Sequence, residues 1–226
     1  MEQQKRLPAI AACVEGRVVA DIGTDHAYLP IALCLENKIE RAIASDIHKG
    51  PLERAKAHIA AHGLSDRIET RLGAGLSVFK PGEADCCVVA GMGGLMIVEM
   101  LANDMDTAQS FRRLMLQPQR DLPEVRRFLL ANGFGIDREI MLKEEGKFYN
   151  ILVVRPGAEP QAYSTAELYF GRQLLAEKDV CLREWLAWER ERVRTILAGL
   201  EGRETARKAE LLACAAVCEE AWEWLR

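Results

Sequence analysis

The sequence lacks the marks of several large classes of protein. None of its apolar runs approaches the roughly 20 residues that a helix needs to cross a membrane. Residues 1–6 lead into mixed sequence without the apolar core of a secretory signal. The seven cysteines are an odd number and include no C-x-x-C pair, which disfavours a disulfide framework. His58 and His62 together supply only two ligands, which disfavours a zinc site. We therefore predict a cytoplasmic protein that binds no metal.

The sequence also has no excess of positive charge. It holds 30 Lys and Arg against 34 Asp and Glu, a net charge of −4, whereas domains that bind nucleic acid are usually basic. An RNA partner would have to be held by local patches of Lys and Arg. The alternative is that the arginines of such patches form an ordinary solvated helix face with acidic neighbours. The candidates are Lys5, Arg6, Arg112, Arg113, Arg190, Arg194, Arg203 and Arg207.

Two regimes follow each other along the chain. Up to about residue 155, short β-branched runs alternate with helical stretches, a pattern that predicts a parallel sheet covered on both faces. Two further strands flank the turn at residues 144–147, and this hairpin predicts that one strand of the sheet is antiparallel. After residues 156–160 the sequence is helical throughout. We predict an α/β fold with a doubly wound sheet domain in residues 1–157 and a helical domain in residues 161–226.

The helical tail shows the spacing of two packed helices. Ser164-x-x-Glu167 is a capping box, and it opens a seam of leucines spaced by seven residues that shifts by four before it resumes. Gly199 and Gly202 mark a turn, and a second apolar stripe follows. The spacing predicts a helical hairpin or coiled coil; its positions are Leu168, Leu175, Leu182, Leu186, Val193, Leu200, Leu211, Ala215, Cys218, Trp222 and Leu225.

The loop after the first strand indicates the cofactor. It reads Asp21-Ile22-Gly23-Thr24-Asp25-His26-Ala27, in which only Gly23 keeps the tight turn of a dinucleotide fingerprint. A pyrophosphate needs bare backbone at a helix N-terminus, so the negative charge of Asp25 disfavours NAD. S-adenosylmethionine has no phosphate, and acidic side chains accept its ammonium and sulfonium cations. The loop therefore favours S-adenosylmethionine.

Small and acidic residues continue along the predicted strand ends. Asp46 closes the second strand, where an acid accepts the two hydroxyls of a ribose, and Gly73-Ala74-Gly75-Leu76 offers an apolar face for an adenine ring. Any one of these residues could instead merely cap a strand or a helix; their order on consecutive strand ends favours a ligand. The predicted cofactor-binding residues are Asp21, Gly23, Thr24, Asp46, Ile47, Gly73, Ala74, Gly75, Leu76, Ala90, Gly91, Met92 and Gly93.

Four motifs together resemble the bacterial tRNA adenine-22 N1-methyltransferase family. They are the segment from Asp21 to Pro30, Gly91-Met92-Gly93-Gly94, Leu116-Gln117-Pro118-Gln119 and Gly146-Lys147-Phe148-Tyr149. The resemblance implies a class I methyltransferase sheet, which is Rossmann-like, with a C-terminal coiled coil. It also implies S-adenosylmethionine as methyl donor, N1 of adenine 22 in tRNA as acceptor, and a helical tail that helps to hold the tRNA.

The segment after the fourth strand fits a ring-nitrogen target. Many enzymes of this class that methylate an exocyclic amine carry Asn/Asp-Pro-Pro-aromatic there, whereas this chain has Ala90-Gly91-Met92-Gly93-Gly94. Adenine N1 has a free lone pair, so alignment can suffice without a general base.

Three residues are predicted on the catalytic side. They are Asp25, whose carboxylate would favour the cationic product, His26 as an orienting donor or phosphate contact, and Tyr149 as a ring that stacks on the base. Asp25 could equally cap the following helix, and Tyr149 could be an ordinary core residue.

Two other functions stay open at this point. One is a methyltransferase for another RNA site or for a small metabolite, and the other is a non-catalytic RNA-binding protein with this fold. We expect a monomer.

Overall fold

The structure is a computed structural model that describes residues 5–159, 161–200 and 206–226. Within these residues the first part of the chain forms one sheet of seven strands. The strands are β1 (Val18–Ile22), β2 (Arg41–Asp46), β3 (Ile68–Leu72), β4 (Cys86–Met92), β5 (Arg113–Pro118), β6 (Phe134–Glu144) and β7 (Lys147–Pro156).

The strand order across the sheet is β3-β2-β1-β4-β5-β7-β6. Strands β1 to β5 run parallel to one another, and β7 runs antiparallel to both β5 and β6. The predicted α/β fold with one antiparallel strand is therefore confirmed. The connections run outwards in opposite directions from β1 and β4, so the switch point of the sheet, where ligands bind in such folds, lies between these two strands.

Helices cover both faces of the sheet. They are α1 (Arg6–Cys13), α2 (Tyr28–Leu35), α3 (Lys49–Ala61), α4 (Gly94–Asn103), α5 (Met105–Ser110) and α6 (Leu122–Ala131), with a 3-10 turn at Gly75–Val78. α1 to α3 pack on one face, and α4 to α6 pack on the other. β4 is buried on both faces from Cys86 to Val89, which explains its continuous apolar sequence.

The tail is divided into more helices than its leucine seam predicts. α7 (Thr165–Phe170) and α8 (Arg172–Ala176) precede the long pair α9 (Val180–Ala198) and α10 (Ala206–Leu225). The sequence predicts two helices, the first continuous from the Ser164 cap to the turn at Gly199, and that continuity was wrong because this stretch forms three helices. The cap itself forms, but Gly171 has a φ of +93°, and a Cβ there would lie 2.4 Å from Oε2 of Glu139.

The two long tail helices pack against each other. Leu182 and Leu186 of α9 share a core with Cys218, Ala221 and Leu225 of α10, which confirms helical packing in the tail. The finer expectation of a coiled coil stays a prediction. The predicted turn residue Gly202 and the candidate RNA contact Arg203 lie outside the described residues.

The tail also contacts the sheet domain directly. Its core includes Met141 of β6, with Phe148 of β7 packed against it. The domain division between residues 157 and 161 stays a prediction, and these contacts show that the two segments share packing. Across the parts of the chain that the structure describes, no helix has the length and hydropathy to span a membrane.

Candidate functional site

A cavity of about 670 Å³ opens at the carboxyl ends of the parallel strands, beside the switch point. Seven of the predicted cofactor residues line it: Gly23, Asp46, Ile47, Gly73, Ala74, Gly75 and Met92. Eight further lining residues were not predicted: Ile22, His48, Ser77, Met96, Glu99, Met100, Asn103 and Asp104. The structure therefore gathers residues from four strand ends and from α4 around one space of the size that small ligands occupy.

Asp46 stands at the rim of this cavity, at the end of β2. Its Oδ1 accepts a hydrogen bond of 2.7 Å from the backbone N–H of His48, which fixes the carboxylate against the following loop. Its backbone carbonyl accepts the N–H of Gly73 at 3.0 Å, so the ends of β2 and β3 are held together. An acid that is fixed in this way can accept the hydroxyls of a sugar without first being ordered.

Asp21 lies deeper, near the end of β1. It is buried at 8% exposure, and burial raises the pKa of its carboxyl from 3.8 to about 6. Ser45, on the neighbouring strand, has a buried hydroxyl without a hydrogen-bond partner among the described residues. A buried acid and an unpaired hydroxyl beside a cavity are costly for a fold. Groups of this kind cluster at functional sites, which makes Asp21 a candidate for contact with a ligand.

Two glycines keep this cavity open. Gly23 has a φ of +75°, and a Cβ there would lie 2.4 Å from Cε of Met92. Gly75 has a φ of +54°, and a Cβ there would lie 2.6 Å from Cγ of Met100. Both positions combine a left-handed backbone with a close approach, which favours glycine for two independent reasons.

Other predicted residues lie away from the cavity lining. Thr24 is buried at the turn after β1, and Leu76 is fully buried in the core beneath. Ala90, Gly91 and Gly93 lie at the end of β4, on the side that faces β5.

The end of β4 forms a second structural feature. The register between β4 and β5 shifts between Ala90 and Met92, so Gly91 forms a bulge with a φ of +81°. The N–H of Gly91 donates to Oε1 of Gln117 at 3.1 Å. Tyr149, near the start of β7, lies under the guanidinium of Arg6, whose carbon is 5.4 Å from the ring centroid. The structure therefore brings Tyr149 and the bulge together through Arg6 and Gln117.

Asp25 and His26 occupy the flank next to α3. The carboxylate of Asp25 is exposed and forms an ion pair of 2.7 Å with Arg54. Nε2 of His26 lies 3.6 Å from Oδ2 of Asp25, and its ring stacks on Tyr28 with 5.2 Å between centroids. His58 joins this group through a 2.8 Å hydrogen bond between its Nδ1 and the carbonyl of His26. The charge of Asp25 is thus already balanced by an arginine.

The side chains of a metal site do not come together in the described residues. No group of three or more His, Cys, Asp or Glu side chains is placed there to hold an ion. The seven cysteines are free thiols. The expectation that the protein binds no metal stays a prediction.

A family model matches most of the chain. The model described as tRNA (adenine(22)-N(1))-methyltransferase matches residues 19–220, which include the sheet, the cavity and most of the tail. The chain belongs to the TrmK family. The resemblance stated from the four motifs is therefore confirmed.

Individual members of this family match over most of their length. The Bacillus subtilis tRNA (adenine(22)-N(1))-methyltransferase is 38% identical over 191 residues, which are 82% of this chain and 80% of that protein. The crystal structure of the Bacillus subtilis m1A22 tRNA methyltransferase TrmK superposes with a TM-score of 0.87 at 32% identity, over 98% of this chain and 99% of that one. The Streptococcus pneumoniae protein Sp1610 in complex with S-adenosyl-L-methionine gives a TM-score of 0.88 at 32% identity, over 97% and 99% of the two chains.

The motifs that indicated the family did not reveal the α4 wall of the cavity. Met96 and Met100 recur at four-residue spacing there, and so do Glu99 and Asn103. That spacing places all four on one side of a helix. Their position after the glycine-rich end of β4 was a signal that could have extended the predicted site.

Proposed function

We propose that this chain transfers a methyl group from S-adenosylmethionine to N1 of adenine 22 in tRNA. The observation that carries the proposal is the cavity at the switch point, lined by Asp46 and the glycine turns, in a chain that belongs to the TrmK family. The tRNA substrate implies a cytoplasmic location. We further propose that the protein acts as a monomer and without a metal.

The residues around the cavity fit S-adenosylmethionine in shape and charge. Asp46 would hold the ribose, and residues 73–75 would cover the adenine ring with Ile47. Gly23 and the buried Asp21 would receive the methionyl part, because a buried carboxylate is matched by a bound ammonium. Met92 completes that end, and Thr24 is buried in the adjacent turn after β1. Three acids face or underlie the cavity besides Asp21, namely Asp46, Glu99 and Asp104, and they suit a cationic ligand.

Methyl transfer to adenine N1 does not require the protein to remove a proton before the attack. When bound, S-adenosylmethionine supplies a methyl group that is already activated by its positive sulfur. Adenine N1 carries its lone pair in the ring plane, so the protein has to align the base, exclude water and favour the positive charge of the product. We propose that the bulge at Gly91, with Ala90 and Gly93, admits the ring edge, since glycine lets a flat ring approach the backbone closely.

The target base has to leave its stem before it reaches this bulge. Extrusion of a stacked base costs a few kcal/mol, and the receiving pocket has to offset that cost. We propose Tyr149 as the stacking ring, because β7 begins at the same edge of the sheet as the bulge and Arg6 contacts both Tyr149 and Gln117. Asp25 and His26 stay proposals for the same side. The pairing of Asp25 with Arg54 favours a role in positioning the loop over one as a free carboxylate.

The tail is proposed to hold the tRNA. Arg190 is paired with Glu219, and Arg194 is paired with Glu191, so their charges are partly balanced in the free protein. The Arg194 pair is exposed, and exposed pairs are weak, so Arg194 can exchange its acidic partner for a phosphate at little cost. The side chain of Arg190 is only 21% exposed and also lies over the ring of Trp222, so it is held more firmly.

Methylation of defined transcripts tests the proposed function. The wild-type chain is incubated with S-adenosylmethionine and a tRNA transcript that carries adenine 22, or the same transcript with guanine 22. We expect methyl transfer only to the first transcript. Transfer to both would indicate another RNA site, and transfer to neither would contradict the proposal. Parallel calorimetry with S-adenosylmethionine separates a non-catalytic binder from a chain that does not bind the cofactor.

Replacing Asp46 by alanine tests the ribose contact. We expect the affinity for S-adenosylmethionine to fall roughly 10- to 100-fold, because hydrogen bonds to a charged group contribute about 1.5–3 kcal/mol. The free energy of unfolding should fall by only about 0.5–1.5 kcal/mol, the contribution of the hydrogen bond from the N–H of His48. Isothermal titration calorimetry measures the affinity. Asp66→Ala is the matched control, an exposed acid in the turn before β3, and it should bind as the wild type does. Unchanged affinity of Asp46→Ala would refute the ribose role.

Shortening the tail hairpin tests its role in holding tRNA. Residues 190–217 are replaced by a short Gly-Ser turn, which keeps the tail core around Leu182, Leu186, Cys218, Ala221 and Leu225. Because this change removes several basic side chains, we expect kcat/KM for tRNA to fall about tenfold or more. Affinity for S-adenosylmethionine should stay the same. Full turnover of the shortened chain would show that the hairpin tip is not needed.

A further inference from the structure

Arg6 links three separate parts of the fold at the bulge side of the sheet edge. It is the first residue of α1, and its Nη1 donates to Oε1 of Gln117 on β5 at 3.0 Å. Its guanidinium covers the ring of Tyr149 on β7. Its backbone N–H donates to Oε1 of Glu144 on β6 at 3.0 Å, and the N–H of Lys5 donates to the same oxygen. One side chain thus connects the first helix, the central sheet and the closing hairpin.

Gln117 contacts both Arg6 and the bulge at Gly91. It is 1% exposed, and its Oε1 accepts both from Arg6 and from the N–H of Gly91. Its Nε2 donates to the carbonyl of Pro118 at 3.2 Å. Because both ends of the amide are engaged, its orientation is fixed. The position of the Gly91 backbone therefore depends on an amide that Arg6 helps to hold.

The positive charge of Arg6 interacts with two groups of the protein, the ring of Tyr149 and the carboxylate of Glu144. The guanidinium faces the π surface of Tyr149, a favourable contact for a cation, and its positive charge also favours the ionised form of Glu144. Hydrogen bonds from the N–H groups of Arg6 and Lys5 lower the pKa of that carboxyl, which keeps it ionised. The guanidinium is therefore held in place by its contacts with Gln117 and Tyr149.

We propose that Arg6 is a positioning residue for the target adenine. It holds the ring of Tyr149 and, through Gln117, the bulge at Gly91, so that both surfaces face the base at a fixed separation. This role rests on the proposed function. Arg6 is not among the residues that line the 670 Å³ cavity, so the role concerns the acceptor and leaves binding of S-adenosylmethionine unaffected.

Kinetics of Arg6→Ala and Arg6→Lys test the proposal. We expect Arg6→Ala to lower kcat for methylation of the adenine-22 transcript about 10- to 100-fold, the cost of a small misplacement of reacting groups. KM and affinity for S-adenosylmethionine should stay within about twofold of the wild type, as expected for a group that acts only on the acceptor side. Arg6→Lys keeps the charge and one donor but lacks the planar group, so its kcat should lie in between.

Lys38→Ala is the matched control. Lys38 lines the same groove between α1 and α2 as Arg6, and its Nζ donates to the carbonyl of Ala11 at 2.5 Å. Its replacement removes one positive charge from that groove without touching Gln117 or Tyr149. We expect its kcat to equal that of the wild type. An equal loss in Lys38→Ala and Arg6→Ala would show that only the charge of the groove matters, and the positioning role would be wrong.

A double-mutant cycle separates positioning from general damage. If Arg6 acts through Tyr149, Arg6→Ala should have little further effect in the Tyr149→Leu background, because interacting residues give non-additive changes. Additive losses would overturn the proposal, and so would a kcat of Arg6→Ala within about twofold of the wild type. If Arg6→Ala does not fold, the kcat of Arg6→Lys decides, and a wild-type value overturns the role. No methylation of adenine 22 by the wild-type chain would instead overturn the proposed function itself.

Discussion

Replacing Asp21 by asparagine is expected to stabilise the protein and to weaken its binding of S-adenosylmethionine. Burial raises the pKa of the Asp21 carboxyl from 3.8 to about 6, so the ionised form is disfavoured in the folded chain. At pH 8 this costs about 3 kcal/mol of stability, at roughly 1.4 kcal/mol per pKa unit. Asparagine has a similar shape and no charge. We therefore expect the free energy of unfolding at pH 8 to rise by up to about this amount.

The sign of the effect fixes its dependence on pH. Because the folded pKa lies above the unfolded value, stability from the protonated carboxyl is complete below about pH 4 and is lost as pH rises through about 6. Urea unfolding at pH 4 and pH 8 should therefore show a large difference between Asp21→Asn and the wild type only at pH 8. An equal difference at both values would indicate that packing, and not charge, separates the two proteins.

Binding of S-adenosylmethionine should change in the opposite direction. The ligand brings positive charge, which favours the ionised carboxylate, so the affinity of the wild type should rise as pH increases from 5 to 7. Asp21→Asn should bind roughly tenfold or more weakly at pH 8, the loss of a charge-assisted contact. Its affinity should depend little on pH in that range. Calorimetric titrations at several pH values measure both quantities, and tight binding by Asp21→Asn at pH 8 would contradict the proposed contact.

Replacing Arg126 by methionine is expected to cause the largest loss of stability. Arg126 on α6 and Glu139 on β6 form an ion pair of 2.8 Å whose side chains are 0% and 1% exposed. Nη1 of Arg126 also donates to the carbonyls of Leu168 and Tyr169 in α7, at 2.8 and 3.0 Å. Removal of one partner leaves the other charge buried and unpaired, which costs about 3–5 kcal/mol.

The neighbouring residue provides a matched control for Arg126. Arg127 lies on the same helix, but it is exposed and pairs with Glu124 three residues away, so Arg127→Met should change stability by no more than about 1 kcal/mol. The double variant Arg126→Met/Glu139→Leu should recover much of the loss, because no unpaired charge remains. Urea unfolding measures all four chains. A small effect of Arg126→Met would show that water reaches this pair.

The sequence predicted the sheet because its strands and helices alternate with clear ends. Gly23, Asp46 and the turn at residues 73–75 each follow a strand, and parallel strands bring such ends to one edge. The predicted residues on the first three strands therefore meet at the cavity. The local sequence pattern is enough there, because the parallel topology brings the ends of these strands together.

Other features depend on contacts between distant residues and could not be read locally. The break between α7 and α8 follows from the approach of Gly171 to Glu139, 32 residues earlier in the chain. Arg6 and Gln117 meet across 111 residues. A repeat of leucines does not indicate a distant contact such as that of Gly171 with Glu139, so the first tail helix was wrongly predicted as continuous. A single arginine does not indicate its partners either, so Arg6 was considered only as an RNA contact.

The position and the atom of methylation test the central claim most directly. A tRNA transcript with adenine 22 is methylated with the wild-type chain and isotopically labelled S-adenosylmethionine. It is then digested to nucleosides for mass spectrometry, while a second portion is copied by reverse transcription. We predict labelled 1-methyladenosine and a cDNA that ends directly before position 22, at the nucleotide on its 3′ side, since a methyl group on N1 blocks base pairing. Label in N6-methyladenosine, or a stop at another position, would contradict the account.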